Sequence, residues 1–245
     1  MTLGRGGWLA ALDIDGTVLH EDGFLSPAVL GAVRSADARG HEVMLATGRA
    51  AASTTPVLAD LGVAPRFLVC SNGAVTLERD ADGEYRRARI ETFDPTEVLT
   101  TISTALSDAH YAVEDAEGNF RHTASFPEAA VSPGSEEVEF AGLLDIRATR
   151  VVVISPNHAT EEFLGVVEQM GLQQVSYAIG WTAWLDIAPD GVNKATAMEW
   201  VRAELGVPIE RTIAIGDGRN DIDMLGWAGR GVAMGQAPGD VIAAA

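Results

Sequence analysis

Residues 9–19 join a short apolar run to acidic and turn-forming residues, in the order Leu-Ala-Ala-Leu-Asp-Ile-Asp-Gly-Thr-Val-Leu. The apolar run predicts a buried strand that ends at Asp13. Because residues two apart on a strand point the same way, we expect the carboxylates of Asp13 and Asp15 to lie close together. Such a pair repels unless a cation or a shared proton intervenes, and its hard oxygens suit Mg²⁺. Gly16 allows a sharp turn that brings backbone N–H groups near an anion, and Thr17 can bond back to that turn.

The same change from apolar to polar residues recurs along the first third of the chain. Ser26 and Pro27 predict the start of a helix, and the strands predicted at 41–47 and 66–71 are again followed by polar residues. Strands that alternate with helices predict a parallel sheet covered on both faces, with ligands at the carboxyl ends of its strands. An ordinary Asx-turn is the alternative interpretation of residues 13–17 taken alone.

The central part of the chain lacks this regularity. Residues 76–188 contain hairpin signals, helical segments and further short strands, which is typical of a smaller α+β module. The pattern of strand, polar residue and helix returns near Gly191. We therefore predict an α/β protein with a doubly wound parallel sheet, formed by residues 1–75 and 189–245, and an inserted α+β domain at 76–188.

The amino-acid composition narrows the possible functions. The chain of 245 residues carries 17 Lys and Arg against 35 Asp and Glu, a formal net charge of −18. An acidic surface repels nucleic acid and anionic lipid, so we expect neither as a partner. The single cysteine, Cys70, lies in an apolar run and is expected to be buried and free of disulfides. Because the sequence shows neither a signal peptide nor a membrane span, we expect a cytoplasmic protein, of unknown oligomeric state.

A second acidic group follows a strand predicted at 212–217. Asp217 ends that strand, and Asn220 and Asp221 come within one turn of it. Lys194 stands in the first turn of a predicted helix, where its charge opposes the helix dipole at a cost of about 0.3–1 kcal/mol. This position makes sense if a carboxylate or another anion lies in front of the lysine. The alternatives are a helix-capping Asx-turn for the acidic residues and a solvated side chain for the lysine.

Together these residues fit phosphoryl transfer. That reaction needs a nucleophile, a metal, a proton carrier, and cationic and hydroxyl groups around the transferring oxygens. No Gly-x-Gly-x-x-Gly follows the first strand, which removes the main support for a dinucleotide cofactor, and no Walker lysine motif is present. The acidic spacing also excludes an EF-hand loop.

Six segments of the sequence resemble the motifs of one known family. They are Asp13-Ile-Asp-Gly-Thr-Val-Leu, Ala46-Thr-Gly-Arg49, Ser71-Asn-Gly-Ala74, Gly191-Val-Asn-Lys194, Gly216-Asp-Gly-Arg-Asn-Asp221 with Met224, and Gly231-Val-Ala-Met-Gly235. In this order they are similar to the haloacid dehalogenase-like (HAD) superfamily, in its Cof-type or class IIB sugar-phosphatase branch. The resemblance implies a Rossmann-like core at 1–75 and 189–245 and an α/β cap domain at 76–188. Gln236 stands where the family usually has Asn, a difference expected to matter little for chemistry.

The resemblance implies a role for each of the motif residues. Asp13 would be the nucleophile that forms an aspartyl-phosphate, and Asp15 would be the general acid for the leaving alcohol and then the base for water. The ligands of Mg²⁺ would be Asp13, the backbone carbonyl of Asp15, Asp217 and, directly or through water, Asp221. The phosphate-binding residues would be Thr47, Lys194, Gly16 and Asn220, and the substrate-binding residues Arg49, Asn72 and Gly73.

The function predicted on this basis is that of a Mg²⁺-dependent phosphatase for a small phosphate monoester, such as a sugar phosphate or a related metabolite. A phosphomutase or phosphotransferase on the same scaffold, which returns the phosphoryl group to a sugar, is one alternative. A receiver-type signalling domain, whose phosphorylated Asp is a switch, is another. Four residues of the inserted domain are candidate contacts for a sugar or an aromatic ring: Arg121, His122, Trp181 and Trp184.

Overall fold

The computed structural model describes residues 6–124, 126, 134–170, 175–179 and 183–245. Its strands are β1 (Leu9–Leu12), β2 (Glu42–Leu45), β3 (Phe67–Cys70), β4 (Val75–Arg79), β5 (Tyr85–Ile90), β6 (His110–Asp115), β7 (Phe120–His122), β8 (Glu136–Glu137), β9 (Ala148–Ile154), β10 (Val175–Ile179), β11 (Trp184–Pro189), β12 (Thr212–Gly216) and β13 (Arg230–Ala233). Its helices are α1 (Pro27–Ala38), α2 (Ala51–Leu61), α3 (Thr96–Ala105), α4 (Thr160–Met170), α5 (Lys194–Leu205), α6 (Ile222–Trp227) and α7 (Gly239–Ile242). The chain divides into two compact units: an outer unit, Met1–Arg89 and Asn193–Ala245, and an inner unit, Ile90–Val192.

The outer unit is built on a parallel sheet with the strand order β13-β12-β1-β2. In β1, Leu12 lies level with Ile215 of β12 on one side and with Leu45 of β2 on the other. A parallel bridge between Ala46 and Val69 places β3 next to β2. The parallel sheet that the alternation of strands and helices predicts is therefore confirmed.

Helices α1 and α5 begin where local sequence signals place them. The hydroxyl of Ser26 accepts a hydrogen bond from the N–H of Val29 at 3.2 Å, and Pro27 occupies the first position of α1, where no N–H is needed. Asn193 caps α5 in a reciprocal pair of hydrogen bonds with Thr196. Both helix starts are thus determined by hydrogen bonds within one turn of the chain.

The parallel sheet carries an apolar cluster on each of its two faces, as expected for strands of this kind. In β2, Met44 packs in one cluster with residues of α5 and α6, while Val43 and Leu45 pack in another with residues of α1 and α2. In β1, Leu9 and Leu12 are divided between the two clusters in the same way. Helices on both faces make this the doubly wound α/β fold that the sequence predicts.

Strands β3 and β4 pair antiparallel, and β5 follows β4 in the same sheet. Cys70, at the end of β3, is buried and free of disulfides, as expected. Pairing with β3 keeps β4 in the outer unit, whereas the sequence-based boundary after residue 75 assigns it to the inserted domain. As a functional division, that boundary stays a prediction.

The inner unit is a sheet with helices packed on it. The strand order is β10-β11-β9-β6-β7-β8, and β6, β9 and β11 pair antiparallel. Leu99 of α3 and Phe163 of α4 pack with Val151 and its neighbours in one apolar cluster. Glu136–Glu137 pairs parallel with β7 as a short strand. Among the helices described, none combines the length and the apolar character needed to cross a bilayer.

Candidate functional site

The carboxyl ends of β1 and β12 place two buried aspartates side by side. Asp13 directly follows β1, and its N–H donates to the carbonyl of Ile215 in β12 at 2.9 Å. Asp217 directly follows β12. Together with the buried Asp221, these residues offer carboxylate oxygens that all lie within 4.8 Å of one another. We call Asp13, Asp217 and Asp221 the acidic cluster.

Lys194 is the cation in contact with the acidic cluster. It is the first residue of α5, its side chain is fully buried, and its Nζ donates to Oδ1 of Asp13 at 2.6 Å and to Oδ1 of Asp221 at 2.7 Å. The two carboxylates offset the unfavourable interaction of the lysine with the helix dipole. Both contacts go to carboxylates, so the binding of a phosphoryl oxygen by Lys194 stays a prediction.

Asp221 is also held by backbone donors. Its Oδ2 accepts hydrogen bonds from the N–H groups of Asp217 at 3.1 Å and Gly218 at 2.9 Å. A Cβ on Gly216 would lie 2.4 Å from Cγ of Asp221, so this approach requires glycine. One oxygen of Asp221 therefore faces Lys194 while the other is bound to the turn, and the carboxylate has a defined orientation.

Asp217 receives hydrogen bonds from two distant parts of the chain. Oγ1 of Thr17 donates to its Oδ1 at 3.0 Å. Nε2 of Gln236 lies 3.4 Å from its Oδ2 and donates to the carbonyl of Gly16 at 2.6 Å. The hydroxyl of Thr17 therefore donates to Asp217 and not to its own turn. Gln236 contacts a member of the acidic cluster, which the sequence does not suggest. Neither the contact of Thr17 nor that of Gln236 with Asp217 can be predicted from spacing along the chain. The one sequence signal for Gln236 is its place just after a family motif.

Gly16 makes room for the carboxylate of Asp217. Its φ is 81°, and a Cβ at this position would lie 2.0 Å from Oδ2 of Asp217. Its N–H donates to the carbonyl of Leu19 at 2.8 Å, so in this structure the N–H is used within the turn, whereas the sequence predicts that it faces an anion. The close approach to Asp217, rather than an anion contact, accounts for glycine here.

Asp15 has a different environment from Asp13. Strand β1 ends at Leu12, so the alternation of side chains along the strand does not extend to Asp15. The carboxylates of Asp13 and Asp15, which the sequence predicts to point the same way, have different hydrogen-bond partners. The side chain of Asp15 is 60% exposed and forms a two-point ion pair with Arg49, at 2.9 Å to Nε and 2.5 Å to Nη2. Hydrogen bonding to Asp15 raises the pKa of Arg49. Arg49, predicted to contact substrate, contacts Asp15 in this structure.

Asn72 and Asn220 contact each other. Oδ1 of Asn72 accepts a hydrogen bond from Nδ2 of Asn220 at 3.0 Å, although the two residues lie 148 positions apart. The side chain of Asn220 thus contacts Asn72 in this structure, whereas the resemblance implies that Asn220 binds phosphate.

Thr47 and Gly73 are buried near the same strand ends. Thr47 follows β2 by two positions, and its Oγ1 accepts a hydrogen bond from the N–H of Arg49 at 3.1 Å. Gly73 has a φ of 103°, and a Cβ there would lie 2.2 Å from the carbonyl oxygen of Asn193. Gly73 therefore packs against the start of α5, a role that its place in the sequence does not indicate.

The buried site holds more negative than positive charge. Three carboxylates against the one ammonium of Lys194 leave a formal charge of −2 when all are ionised. Burial raises the pKa of Asp13 to about 8, the charge of Asp221 adds to this rise, and Lys194 opposes it. Burial also raises the pKa of Asp217. Burial by itself would lower the pKa of Lys194, but the charges of Asp13 and Asp221 outweigh it and raise this pKa.

These shifts indicate what the site can bind. Since carboxylates outnumber cations among these buried side chains, the site as a whole retains protons. A divalent cation would replace those protons and compensate the charge of −2. Carboxylate oxygens are the ligands that hard cations such as Mg²⁺ prefer. The acidic cluster therefore fits a divalent metal.

Three of the four candidate contacts in the inner unit are described. Arg121 is exposed, and its Nε lies 3.6 Å from Oε2 of Glu136. The ring centroids of His122 and Phe126 lie 6.1 Å apart. Trp184 is half-buried at the start of β11. Trp181 lies outside the described residues.

A family model described as haloacid dehalogenase-like hydrolase matches residues 10–245. The match covers nearly the whole chain, including both strand ends that carry Asp13 and Asp217. The chain belongs to the haloacid dehalogenase-like hydrolases. The resemblance seen in the six motifs is thus confirmed, and this hydrolase is an enzyme of that family.

Relatives of this hydrolase are phosphatases by name. The 5-amino-6-(5-phospho-D-ribitylamino)uracil phosphatase YitU of Bacillus subtilis is 28% identical, over 93% of this chain and 86% of that protein. The pyridoxal phosphate phosphatase YbhA of Escherichia coli is 28% identical, over 93% of this chain and 87% of that protein. A solved structure of a HAD subclass IIB sugar phosphatase matches with a TM-score of 0.81 and 24% identity, over 97% of this chain and 91% of that chain. This last likeness establishes a common fold.

Proposed function

We propose that this hydrolase is a Mg²⁺-dependent phosphatase that hydrolyses a small phosphate monoester through an aspartyl-phosphate on Asp13. The observation that carries the proposal is the buried contact of Lys194 with Asp13 and Asp221, beside Asp217. This arrangement combines a carboxylate nucleophile, a cation and a metal-binding set, which phosphoryl transfer requires. The names of the curated relatives, which act on small phosphorylated molecules, support the same reaction.

Asp13 is the nucleophile in this proposal. A carboxylate oxygen of Asp13 attacks phosphorus, the bond from phosphorus to the alcohol oxygen breaks, and the phosphoryl group becomes attached to Asp13. Lys194 donates to Oδ1 of Asp13 at 2.6 Å, which orients the carboxylate and offsets its charge. The covalent intermediate splits one difficult hydrolysis into two easier displacements.

Asp15 moves the protons. It donates a proton to the leaving alcohol oxygen in the first step and accepts one from the water that attacks the aspartyl-phosphate in the second. Its exposed position outside the buried site suits exchange with both the alcohol and water. Arg49 donates to both oxygens of Asp15 in this structure, and protonation of Asp15 would remove the negative charge that holds this ion pair. Acid–base catalysis of this kind contributes about 10²–10⁴ in rate.

Mg²⁺ is the proposed cofactor. When bound, it supplies positive charge beside the transferring phosphoryl group. Its ligands would be Asp13, the backbone carbonyl of Asp15, Asp217 and, directly or through water, Asp221. The excess charge of −2 in the buried site supports this assignment. Thr47 and Lys194 would bind phosphoryl oxygens.

The inner unit, Ile90–Val192, is proposed as the cap domain that recognises the organic part of the ester. It is a compact α+β unit inserted into the chain of the outer unit. Sugar phosphates and related phosphorylated metabolites are the proposed substrates, and the acidic surface makes nucleic acid an unsuitable partner.

A screen of phosphate esters tests the proposal. We expect phosphate release with Mg²⁺, its loss on addition of a chelator, and no turnover by Asp13→Asn. The exposed Asp37→Asn variant in α1 is the matched control and should keep full activity. Free phosphate as product separates hydrolysis from transfer to a second sugar, and rapid loss of the aspartyl-phosphate separates an enzyme from a receiver-type switch. Full activity of Asp13→Asn would overturn the mechanism.

A further inference from the structure

The turn Ser71–Gly73, between β3 and β4, combines burial with an unusual backbone. Ser71 and Asn72 have φ values of 49° and 52°, which non-glycine residues seldom adopt, and Gly73 follows with 103°. All three residues are buried. Backbone conformations of this kind persist only where surrounding contacts hold them, and they concentrate at functional sites. The contacts of the turn therefore show what it holds in place.

Two N–H groups of the turn hold the loop that carries Thr47. The N–H of Ser71 donates to the carbonyl of Arg49 at 2.8 Å, and the N–H of Asn72 donates to the carbonyl of Thr47 at 3.0 Å. A Cβ on Gly48 would lie 3.1 Å from Oδ1 of Asn72, so the amide of Asn72 packs against the same loop. The left-handed backbone aims both N–H groups at this loop.

The amide of Asn72 also reaches a second segment. Its Oδ1 accepts a hydrogen bond from Nδ2 of Asn220 at 3.0 Å. Asn220 precedes Asp221, which is bonded to Lys194. The turn is thereby tied to the segment that carries one member of the acidic cluster.

The third contact is with the start of α5. A Cβ on Gly73 would lie 2.2 Å from the carbonyl oxygen of Asn193 and 3.3 Å from the backbone nitrogen of Lys194. The turn therefore touches the backbone of the helix residue whose side chain enters the acidic cluster.

We propose that the turn Ser71–Gly73 is the positioning element of the site, which sets Thr47, Asn220 and Lys194 relative to one another. Within it, Asn72 is a positioning residue whose amide ties Asn220 to the loop that carries Thr47. The inference rests on the proposed phosphatase function, and it is an alternative to the expectation that Asn72 binds substrate, for which the contact to test is the one with the organic part. A residue that contacts the organic part changes the rate by a different factor for each ester. A positioning residue changes the rate by one common factor, because the phosphoryl group is the same in every ester.

The Asn72→Gly variant separates the two roles. Glycine adopts the left-handed backbone freely, so this change removes the amide and leaves the turn. We expect kcat/KM to fall by about 10²-fold, by the same factor for p-nitrophenyl phosphate and for sugar phosphates that the wild type hydrolyses. We also expect weaker binding of inorganic phosphate, measured by calorimetry in the presence of Mg²⁺. Asn119→Gly, in an exposed turn of the inner unit, is the control and should match the wild type in both measurements.

The outcomes distinguish the inference from the function on which it rests. Factors that differ from ester to ester, with unchanged phosphate binding, would assign Asn72 to substrate recognition and overturn the inference. If Asn72→Gly fails to fold, Asn72→Asp keeps an oxygen that can accept from Asn220 and tolerates the same backbone; positioning then predicts a smaller but still ester-independent loss. Failure of the wild type to hydrolyse any ester would refute the phosphatase, whereas the phosphate-binding comparison still decides the role of Asn72.

Discussion

Replacing Gly16 with alanine perturbs the acidic cluster without removing any polar group. The added Cβ would lie 2.0 Å from Oδ2, 2.6 Å from Cγ and 2.8 Å from Oδ1 of Asp217, all well inside van der Waals contact. The carboxylate of Asp217 must therefore shift or rotate. Such a shift disturbs its hydrogen bonds with Thr17 and Gln236 and changes where its oxygens lie.

Two other glycines make it possible to separate this clash from backbone strain. Gly23 and Gly40 have the same φ of 81° as Gly16, but a Cβ at either position would meet nothing within 4 Å. Placing alanine in this region costs about 1–2 kcal/mol in each of the three variants. Displacement of Asp217, a proposed metal ligand, adds for Gly16→Ala alone an expected loss of about 10–100-fold in metal affinity, which equals about 1.4–2.7 kcal/mol.

In the assay, Mg²⁺ is titrated into each purified variant. Calorimetry measures the binding of Mg²⁺, and thermal unfolding measures how far the midpoint rises with Mg²⁺. Mg²⁺ that binds only the folded state stabilises it by an amount set by the dissociation constant. The rise of the midpoint can therefore be compared with the affinity measured by calorimetry. We expect Gly23→Ala and Gly40→Ala to bind Mg²⁺ like the wild type, with a somewhat lower midpoint. Gly16→Ala should bind it weakly and gain little in midpoint.

A Gly16→Ala variant that binds Mg²⁺ within twofold of the two controls would refute this reasoning. That result would mean that Asp217 is not a ligand, or that its carboxylate does not lie against residue 16. Equal weakening in all three variants would instead attribute the loss to backbone strain, and would equally contradict the clash at Asp217.

Three further substitutions test buried charge and helix capping. Lys194→Met removes the cation that contacts two buried carboxylates, so we expect the free energy of unfolding in chelator to fall by about 3–5 kcal/mol and to recover in part with Mg²⁺. Urea titration measures both values, and a variant as stable as the wild type in chelator would contradict the buried contact. Arg150→Met removes the partner of Asp186, 2.7 Å away in the inner unit, and should lower stability by about 3 kcal/mol; an unchanged thermal midpoint would show that the pair contributes nothing. Asn193→Ala removes the cap of α5 and should lower the free energy of unfolding by about 0.5–2 kcal/mol, and a loss below this range in urea titration would argue against the cap.

Much of the fold can be predicted from short stretches of sequence, since the interactions that determine it act within a few residues. Ser26 and Asn193 can be recognised as helix caps from the sequence because capping is local: each accepts a hydrogen bond from a residue only three positions further on. The alternation of strands with helices predicts a sheet covered on both faces, and Met44 and its neighbours in β2 pack accordingly. Strand ends with acidic residues, at 13 and 217, are likewise visible in the sequence.

The partners of the site residues cannot be predicted in this way. Thr17 lies 200 positions from Asp217, and its hydroxyl bonds to that carboxylate and not to its own turn. Asp15 pairs with Arg49 because β1 ends before strand alternation could align Asp15 with Asp13. Each of these contacts depends on where the next strand of the sheet ends.

The sequence by itself determined which residues end the strands, where two helices begin, and that acidic groups recur at equivalent places. Only the tertiary structure decided that Lys194 bridges Asp13 and Asp221, over separations of 181 and 27 positions. The physical reason is that strand order and register, with β1 between β12 and β2, set which side chains come within hydrogen-bond distance. Spacing along the chain carries no information about that order.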